Sequence, residues 1–230
     1  MKISIITVNY NNKSGLLSTL KSIENQTYND YECLVIDGAS IDGSQEVFEM
    51  VNDERFKFMS ETDEGIFDAM NKGVHHSNGQ WCIFLNSGDV FYSNLVLEKF
   101  IDSVKNLDDK VKVVYGDCLI KSTGKVNPAR KDVSCLKVGD CFASHQSMFF
   151  LGKFYYDLDY KIYGDLDLLS KILKQYGHNA FCYMDIIVSI YEGGGISDTI
   201  STQKRVEKYK SIFKNFGLVC FFKSIFNRIF

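Results

Sequence analysis

The stretch ISIITVNYN, residues 3–11, decides the fold. Residues 3–8 form a nearly continuous apolar and β-branched run, which is typical of a strand buried on both faces of a parallel sheet. The run carries Thr7 and passes into the polar residues Asn9 and Tyr10 where the strand ends. Because ligands of open α/β sheets bind outside the carboxyl ends of the strands, this stretch predicts both a central strand and one wall of a ligand site.

Alternating strand-like and helix-like segments continue through the first 110 residues. The predicted strands are residues 33–36, 56–59 and 81–85, and the predicted helices are residues 16–23, 45–51, 66–74 and 95–104. This order implies a parallel sheet with helices on both faces. The predicted class is therefore α/β, with a Rossmann-like, mostly parallel central sheet.

The pattern changes after residue 110. Further strands are predicted at residues 111–120, 147–151 and 181–191, and a helix at residues 165–176, followed by a helical, basic tail from residue 201 to 230. Since no repeat or low-complexity linker interrupts the chain, we expect a single domain over residues 1–200. Residues 1–110 form its nucleotide-binding half, and residues 111–200 form its acceptor half.

The composition narrows the class of protein. The 230 residues are 45% hydrophobic and 24% charged, with a net charge of -3 that argues against a dedicated nucleic-acid binder. The seven cysteines include no CxxC pair, which favours a reduced, cytoplasmic protein. The N-terminal residues lack the features of a signal peptide, and no apolar stretch reaches 18 residues, so no transmembrane helix is predicted.

Two more polar clusters follow predicted strands. They are residues 37–44, which begin with Asp37, and residues 86–89, which include Ser87 and Asp89. With residues 7–11, they are expected to meet at one edge of the sheet. The first strand is not followed by GxGxxG, so a dinucleotide-binding fold is disfavoured.

Seven segments, taken together, resemble family 2 glycosyltransferases of the GT-A fold, over about residues 1–200. They are IITVNYN (5–11), QTYNDYECLVIDGASIDGS (26–44), SETDEGIFDAMNKGV (60–74), GQWCIFLNSGD (79–89), SHQSMFF (144–150), YGDLDLL (163–169) and YEGGGIS (191–197). The chain is most similar to the branch that builds bacterial exopolysaccharide, capsule or lipopolysaccharide, including colanic-acid type enzymes. The resemblance implies sugar transfer from a UDP- or GDP-linked donor to a saccharide or a lipid-linked saccharide.

The resemblance also implies that Mg²⁺ or Mn²⁺ holds the donor diphosphate, with Asp89 as its ligand. The usual family motif is roughly Asp-x-Asp-Asp. This chain has only the last of these acids, Asp89, and Gly88 stands where the acid before it would be. We expect weaker metal affinity, or a second protein ligand from elsewhere in the chain.

Two other acids receive roles from the resemblance. Asp37 is expected to hold the uracil or guanine base, although the second acid of many members is Gly38 here. The alternative is that Asp37 caps a turn. Asp165 is the expected general base of an inverting transfer, with Gly164 in place of the preceding acid. The alternative is that Asp165 is only a helix N-cap.

The remaining donor-binding candidates lie in three segments. Asp68, Asn71 and Lys72 share a helical turn or slightly more, so they are expected to face the donor sugar or diphosphate together. Ser87 and His145 are expected beside the donor as well. The alternatives are a structural role for His145 and a solvated surface position for Lys72.

Two segments near the C-terminus suggest further roles. Gly193, Gly194 and Gly195 resemble a mobile lid that excludes water from the donor, the alternative being an ordinary flexible connection. Residues 217–230 mix Phe and Ile with Lys223 and Arg228, which suits peripheral contact with the inner face of the plasma membrane. The alternative is that this segment packs on the core or on a partner subunit.

Two competing functions stay open. The glycines at positions 38, 88 and 164 are compatible with a catalytically inactive nucleotide- or sugar-binding module. A sugar nucleotidyltransferase is the other alternative, although the expected glycine- and Arg/Lys-rich signature is missing from TVNYNNKSG at residues 7–15.

Overall fold

The structure of the protein, a computed structural model, describes residues 1–193 and 202–226. The strands are β1 (Ile3–Asn9), β2 (Tyr31–Asp37), β3 (Phe56–Ser60), β4 (Trp81–Phe84), β5 (Val90–Phe91), β6 (Val113–Ile120), β7 (Lys125–Asn127), β8 (Met148–Leu151) and β9 (Phe181–Tyr191). The helices are α1 (Lys13–Glu24), α2 (Ser44–Glu49), α3 (Ile66–His76), α4 (Val96–Val104), α5 (Gly164–Tyr176) and α6 (Thr202–Phe226). Short 3-10 turns lie at Val133–Val138, His145–Ser147 and His178–Ala180.

All the strands of the described ranges join one sheet, in the order β3-β2-β1-β4-β8-β6-β9-β5, with β7 paired to β6. The first four strands are mutually parallel, and β8 joins them to β6 through antiparallel pairs. The predicted α/β fold with a mostly parallel central sheet is confirmed. The sequence reading missed β5 and β7, because strands of two and three residues are too short to show a hydrophobic period.

The core explains why most residues of β1 are apolar. Ile3 and Ile5 pack on one face of the sheet in a cluster with α1 and α4, while Ile6 and Val8 pack on the other face with α3 and α5. Successive side chains of a strand alternate between faces, so a strand covered on both sides needs apolar residues at nearly every position. This packing fixes the ends of the central strands, where the polar clusters begin.

The C-terminal helix α6 consists of two parts. The helix breaks at Gly217, whose φ of +76° is a left-handed angle that glycine adopts readily. The part before the break packs on α5 and on the turn Val133–Val138. Within residues 1–193 and 202–226, no helix is both long and apolar enough to cross a membrane.

The seven cysteines form no disulfide with one another, and each is buried or half-buried. The reduced state of the protein stays a prediction. The single sheet runs through both predicted halves, so their boundary at residue 110 is not visible as a break in the fold. The division into donor and acceptor halves stays a prediction.

A buried carboxylate ties the sheet together at the end opposite the polar clusters. Glu32 on β2 accepts hydrogen bonds from Ser4 Oγ at 2.7 Å and from the backbone N–H of Asn78 at 2.6 Å, and Lys2 Nζ lies 3.3 Å away. Burial acts to raise the pKa of Glu32, but these hydrogen bonds outweigh it and lower the pKa to about 2. One side chain thus joins β1, β2 and the loop before β4.

We expect Glu32→Gln to lower the free energy of unfolding by about 1–3 kcal/mol at pH 7, because the amide cannot satisfy the same donors. The folded-state pKa lies below the usual value of 4.5, so the carboxylate stabilises the fold above that pH and the contribution disappears as the pH falls toward 2. Urea denaturation at pH 7 and pH 3 should show the gap between wild type and variant shrinking. The exposed Glu98→Gln is the control, and an equal gap at both pH values would contradict the assignment.

Candidate functional site

A cavity of about 690 Å³ opens at the carboxyl ends of the parallel strands. Its walls come from the end of β1 and the loop after it (residues 8–10 and 12), residue 38 after β2, residues between 62 and 69 before and within α3, residues 86, 87 and 89 after β4, and the end of β9 with the residues after it (191–193). The three polar clusters expected to meet at one edge of the sheet do so here. Both predicted halves contribute to the cavity, because residues 191–193 belong to the second one.

Asn9 links the ends of three strands behind the cavity wall. Its Nδ2 donates to Asp37 Oδ1 at 2.7 Å, and its Oδ1 accepts from Ser87 Oγ at 2.7 Å. The side chain is buried, so these bonds replace water that it would otherwise bind. Asn9 and Ser87 both line the cavity, but their polar groups are engaged mainly with each other and with Asp37.

The carboxylate of Asp37 is fully occupied by hydrogen bonds within the protein. Its carboxylate accepts from Asn9, from the backbone N–H and the hydroxyl of Ser40 at 2.9 and 2.6 Å, and from Ser60 Oγ at 2.7 Å. Burial acts to raise its pKa, and these hydrogen bonds bring the pKa below its usual value. Four donors fill the acceptor sites of a carboxylate, and Asp37 does not line the cavity. The geometry agrees with the turn-holding alternative.

Gly38, which takes the place of a family acid, faces a carboxylate from another segment. A methyl group built at Gly38 would lie 2.6 Å from Asp63 Oδ2 and 3.1 Å from Tyr10 Cδ2. Asp63 therefore occupies the space that a side chain at position 38 would need. Its other oxygen accepts from the backbone N–H of Gly65 at 2.9 Å. The largely exposed ring of Tyr10 continues the same wall.

Asp89 also lines the cavity and is only 5% exposed. Its Oδ1 accepts the backbone N–H of Glu192 at 3.0 Å. Burial, together with the neighbouring Glu192 carboxylate, raises the pKa of Asp89 to about 7. Glu192 also lines the cavity, and its Oε1 pairs with Lys121 Nζ at 3.2 Å.

Gly88, like Gly38, faces a carboxylate side chain from another segment of the chain. Its φ of +104° is a backbone angle that side-chain-bearing residues rarely adopt. A methyl group built there would overlap Glu192 Oε2 and lie 2.8 Å from Glu192 Cδ. The Glu192 side chain thus fills the space beside Asp89 that position 88 leaves open.

The oxygen atoms around Asp89 fit a hard divalent cation. Asn86 lines the same wall, and its buried Oδ1 accepts no hydrogen bond from any residue that the structure describes. Carboxylate and amide oxygens are the ligands that Mg²⁺ and Mn²⁺ prefer. Across the described ranges, no three His, Cys, Asp or Glu side chains converge as a metal cluster. The protein would therefore supply only part of the coordination, as is usual for an ion held largely by phosphates.

Asp165 is the second residue of α5, and the N-cap position belongs to Tyr163. Its Oδ1 accepts from the backbone N–H of Leu166 at 2.7 Å, and Cys141 Sγ lies 3.9 Å from its Oδ2. Burial raises the pKa of Asp165 to about 6. The position therefore differs from the simple N-cap alternative.

Gly164, the third glycine in place of an acid, packs against an aromatic ring. A methyl group built there would lie 2.7 Å from Phe67 Cε2, so the ring leaves no room for a side chain. Phe67 follows Ile66, which lines the cavity. The contact places the start of α5, and with it Asp165, against the first turn of α3.

Glu207 of α6 holds the segment that leads into α5, and the sequence reading missed it. Its buried carboxylate accepts the backbone N–H groups of Lys161, Ile162 and Tyr163 at 3.0, 2.9 and 2.9 Å. These hydrogen bonds fix the main chain immediately before Asp165. No local motif marks Glu207, because its partners lie more than 40 positions earlier.

The predicted group on α3 is engaged in contacts within the protein. Asn71 exchanges hydrogen bonds with the backbone of Tyr156, at 3.0 Å to its carbonyl and 2.8 Å from its N–H. Lys72 forms ion pairs with Glu61 and Asp68 at 3.1 and 3.3 Å. None of Asp68, Asn71 and Lys72 lines the cavity, and their contacts with the donor stay predictions.

Two other predicted donor contacts lie behind the cavity surface. Thr7 is fully buried within β1. His145 stacks on Phe84, with ring centres 5.1 Å apart, and contacts the hydroxyl of Tyr156. Burial lowers the pKa of His145 to about 4, so the imidazole is neutral at pH 7. Of the predicted lid, Gly193 lines the cavity, whereas Gly194 and Gly195 lie outside the described residues.

Comparison with known proteins identifies the family. Residues 4–157 match the family model described as glycosyl transferase family 2. A PGL/p-HBAD biosynthesis glycosyltransferase of Mycobacterium bovis (strain BCG / Pasteur 1173P2) is 32% identical over 213 residues, which cover 86% of this chain and 79% of that protein. The chain therefore belongs to glycosyltransferase family 2, and it is a glycosyltransferase.

Solved structures share the fold. S. aureus TarS 1-349, crystallised in complex with UDP-GlcNAc, superposes with a TM-score of 0.72 at 16% identity, over 94% of this chain and 68% of that one. The same TarS segment without UDP-GlcNAc is matched over 65% of its length, just under two thirds. Glucosyl-3-phosphoglycerate synthase from Mycobacterium tuberculosis, crystallised with Mn²⁺, UDP and glucosyl-3-phosphoglycerate, superposes with a TM-score of 0.66 at 12% identity, over 94% and 80% of the chains. At these identities the likeness establishes the GT-A fold alone.

We expect Glu207→Ala to lower the free energy of unfolding by about 1–3 kcal/mol, because the backbone N–H groups before α5 lose a buried acceptor. Urea denaturation followed by circular dichroism measures this change. Gln203→Ala is the control, since Gln203 touches the same carboxylate at 2.9 Å but holds no residue of the α5 approach. Equal stability of Glu207→Ala and wild type would show that α6 does not fix this segment.

Proposed function

We propose that the protein transfers a sugar from a nucleotide-diphosphate donor to a saccharide or lipid-linked acceptor, with inversion and with the help of Mg²⁺ or Mn²⁺. The observation that carries the proposal is the buried carboxylate of Asp89, which faces a large cavity at the carboxyl ends of the parallel strands. The mycobacterial relative, named for PGL/p-HBAD biosynthesis, supports a role in making surface glycoconjugates or polysaccharides.

The donor diphosphate is proposed to lie along the wall formed by residues 86–89. Asp89, and Asn86 through its unpaired Oδ1, would hold the ion there. When bound, such an ion supplies Lewis-acid stabilisation of the charge that develops on the leaving nucleotide. The buried position of Asp89 keeps water away from one side of this contact.

The nucleotide base is proposed to lie against Tyr10 and Asp63. The ring of Tyr10 is 69% exposed along the cavity wall, which suits stacking on a flat base. Asp63 presents a carboxylate on the same wall that accepts the N–H of a uracil or guanine. We favour Asp63 over Asp37 for this contact, because the oxygens of Asp37 already accept four hydrogen bonds.

Asp165 is proposed as the general base that removes the proton of the acceptor hydroxyl. A base works best when its pKa is near the working pH, and burial raises the pKa of Asp165 to about 6. The titratable groups facing it are the Cys141 thiol and the Tyr156 hydroxyl, and burial raises the pKa of both. Both groups are therefore neutral at pH 7 and leave Asp165 as the ionised group in this contact.

We expect Asp165→Asn to reduce sugar transfer by about 100-fold or more, since the amide cannot accept the proton. UDP or GDP binding should be unchanged. In the wild type, kcat/KM should fall as the pH drops through about 6, because the carboxylate must be ionised to act as a base. Transfer assays with a panel of nucleotide sugars and Mn²⁺, over pH 5–8 (roughly the range around this pKa), measure both effects.

Asp167→Asn is the matched control on the same helix. Asp167 is fully buried, with Asn215 Nδ2 at 2.9 Å and Lys171 Nζ at 2.7 Å, so the variant should lose stability but keep its rate per folded molecule. Full activity of Asp165→Asn would show that another group is the base. Nucleotide binding by the wild type without turnover of any donor would instead identify a binding module.

The second part of α6 is proposed to contact the membrane surface from the cytoplasmic side. Leu218, Val219, Phe222 and Phe226 are each more than half exposed. Exposed apolar side chains beside Lys223 suit an interfacial helix, and a lipid-linked acceptor would be found at that surface. The predicted contact beyond residue 226 lies outside the described residues.

We expect a Leu218→Ser/Phe222→Ser double variant to lose binding to vesicles of phosphatidylglycerol and phosphatidylethanolamine, because it removes exposed apolar area without opening the core. Vesicle co-sedimentation measures this loss. The control is Val126→Ser, which removes an exposed apolar side chain on β7 rather than on α6. Unchanged sedimentation of wild type with and without vesicles counts against membrane contact. Self-association of the wild type that the double variant loses would point to a partner subunit.

A further inference from the structure

We infer that Glu192 is the second protein ligand of the donor's divalent ion, supplied after β9 in place of the acid that position 88 lacks. The inference rests on the proposed function, since it concerns the ion of that donor site. Glu192 lies about 100 positions from Asp89 in the sequence, yet both line one wall of the cavity.

Steric complementarity with Gly88 carries the first step. A side chain at position 88 would begin where Glu192 Oε2 now lies, so the chain has room for an acid at position 88 or for Glu192, but not for both in these positions. The φ of +104° at Gly88 keeps the backbone there without a side chain. Glu192 thus places its carboxylate in the region where a side chain at position 88 would project.

The main chain fixes Glu192 relative to Asp89. The N–H of Glu192 donates to Asp89 Oδ1 at 3.0 Å, so the two residues are tied before any ion arrives. Since β9 pairs with both β5 and β6, the strand that leads into Glu192 is itself held on both sides. The two carboxylates therefore belong to a supported arrangement rather than to a chance approach of two acids.

Only one carboxylate oxygen of Glu192 is paired with a cation. Lys121 Nζ lies 3.2 Å from Oε1, and both side chains are substantially exposed. Oε2 lies against Gly88, the residue before Asp89, and Asn86, whose Oδ1 is unpaired among the described residues, lines the same cavity. Oxygens from Asp89, Glu192 and Asn86 form a set that a hard cation prefers, with the donor phosphates completing its coordination.

The test is a Mn²⁺ titration of the full chain in the presence of UDP or GDP, with free Mn²⁺ followed by electron paramagnetic resonance. We expect Glu192→Gln to weaken Mn²⁺ binding at least about tenfold, since loss of groups that merely support metal ligands already costs that much. Lys121→Gln should bind Mn²⁺ as tightly as wild type or more tightly, because the lysine competes with the ion for Glu192. The exposed Glu98→Gln changes the net charge equally and should leave binding unaltered.

Wild-type Mn²⁺ affinity in Glu192→Gln would overturn the inference, as would equal weakening by Glu192→Gln and Lys121→Gln, because Glu192 would then serve only as the partner of Lys121. Thermal unfolding checks that each variant is folded. If Glu192→Gln does not fold, Glu192→Asp takes its place, with the same weakening expected because the shorter carboxylate retreats from the ion. Failure of the proposed metal site is separate: Asp89→Asn would then bind Mn²⁺ as wild type does, or wild type would bind none.

Discussion

The hydrogen bond between Asn9 and Asp37 is the interaction on which the cavity depends. Asn9 reaches Asp37 on one side and Ser87 on the other, and Asp37 extends the chain of bonds to Ser60. This chain crosses the ends of β1, β2 and β3 and the loop after β4 behind the cavity wall. Buried polar groups that lose a partner are costly, so the four segments keep a fixed relation to one another.

The fold was largely readable from the sequence because its signal is local. The run at residues 3–8 predicts a strand covered on both faces, and the alternation of strands and helices predicts the parallel half of the sheet, β1 to β4. The strand ends then predict where the polar clusters meet. The partners of β8 and β9 could not be predicted in this way. β8 pairs antiparallel with β4 and β6, and β9 pairs parallel with β6 and antiparallel with β5, and the apolar run of a strand does not record which strands lie beside it.

The site was readable only in part, because its missing pieces come from distant segments. Asp89 and Asp165 were marked by their motifs. Asp89 lines the cavity, whereas Asp165 does not line it and lies at the start of α5, next to Gly164 and its contact with Phe67 of α3. Glu207 had no such mark, since its role consists of contacts with backbone atoms of another segment. The three glycines that replaced family acids looked like losses along the chain, yet each faces a side chain from elsewhere.

The position of Glu192 has a mechanical consequence. Asp89 follows β4 in the parallel half of the sheet, whereas Glu192 follows β9 in the other half. When both carboxylates share one ion, the ion adds a second link between the two halves to the hydrogen bond that the Glu192 N–H already donates to Asp89 Oδ1. Because a ligand that binds only the folded protein stabilises it, the donor and its ion would make this contact harder to break on unfolding.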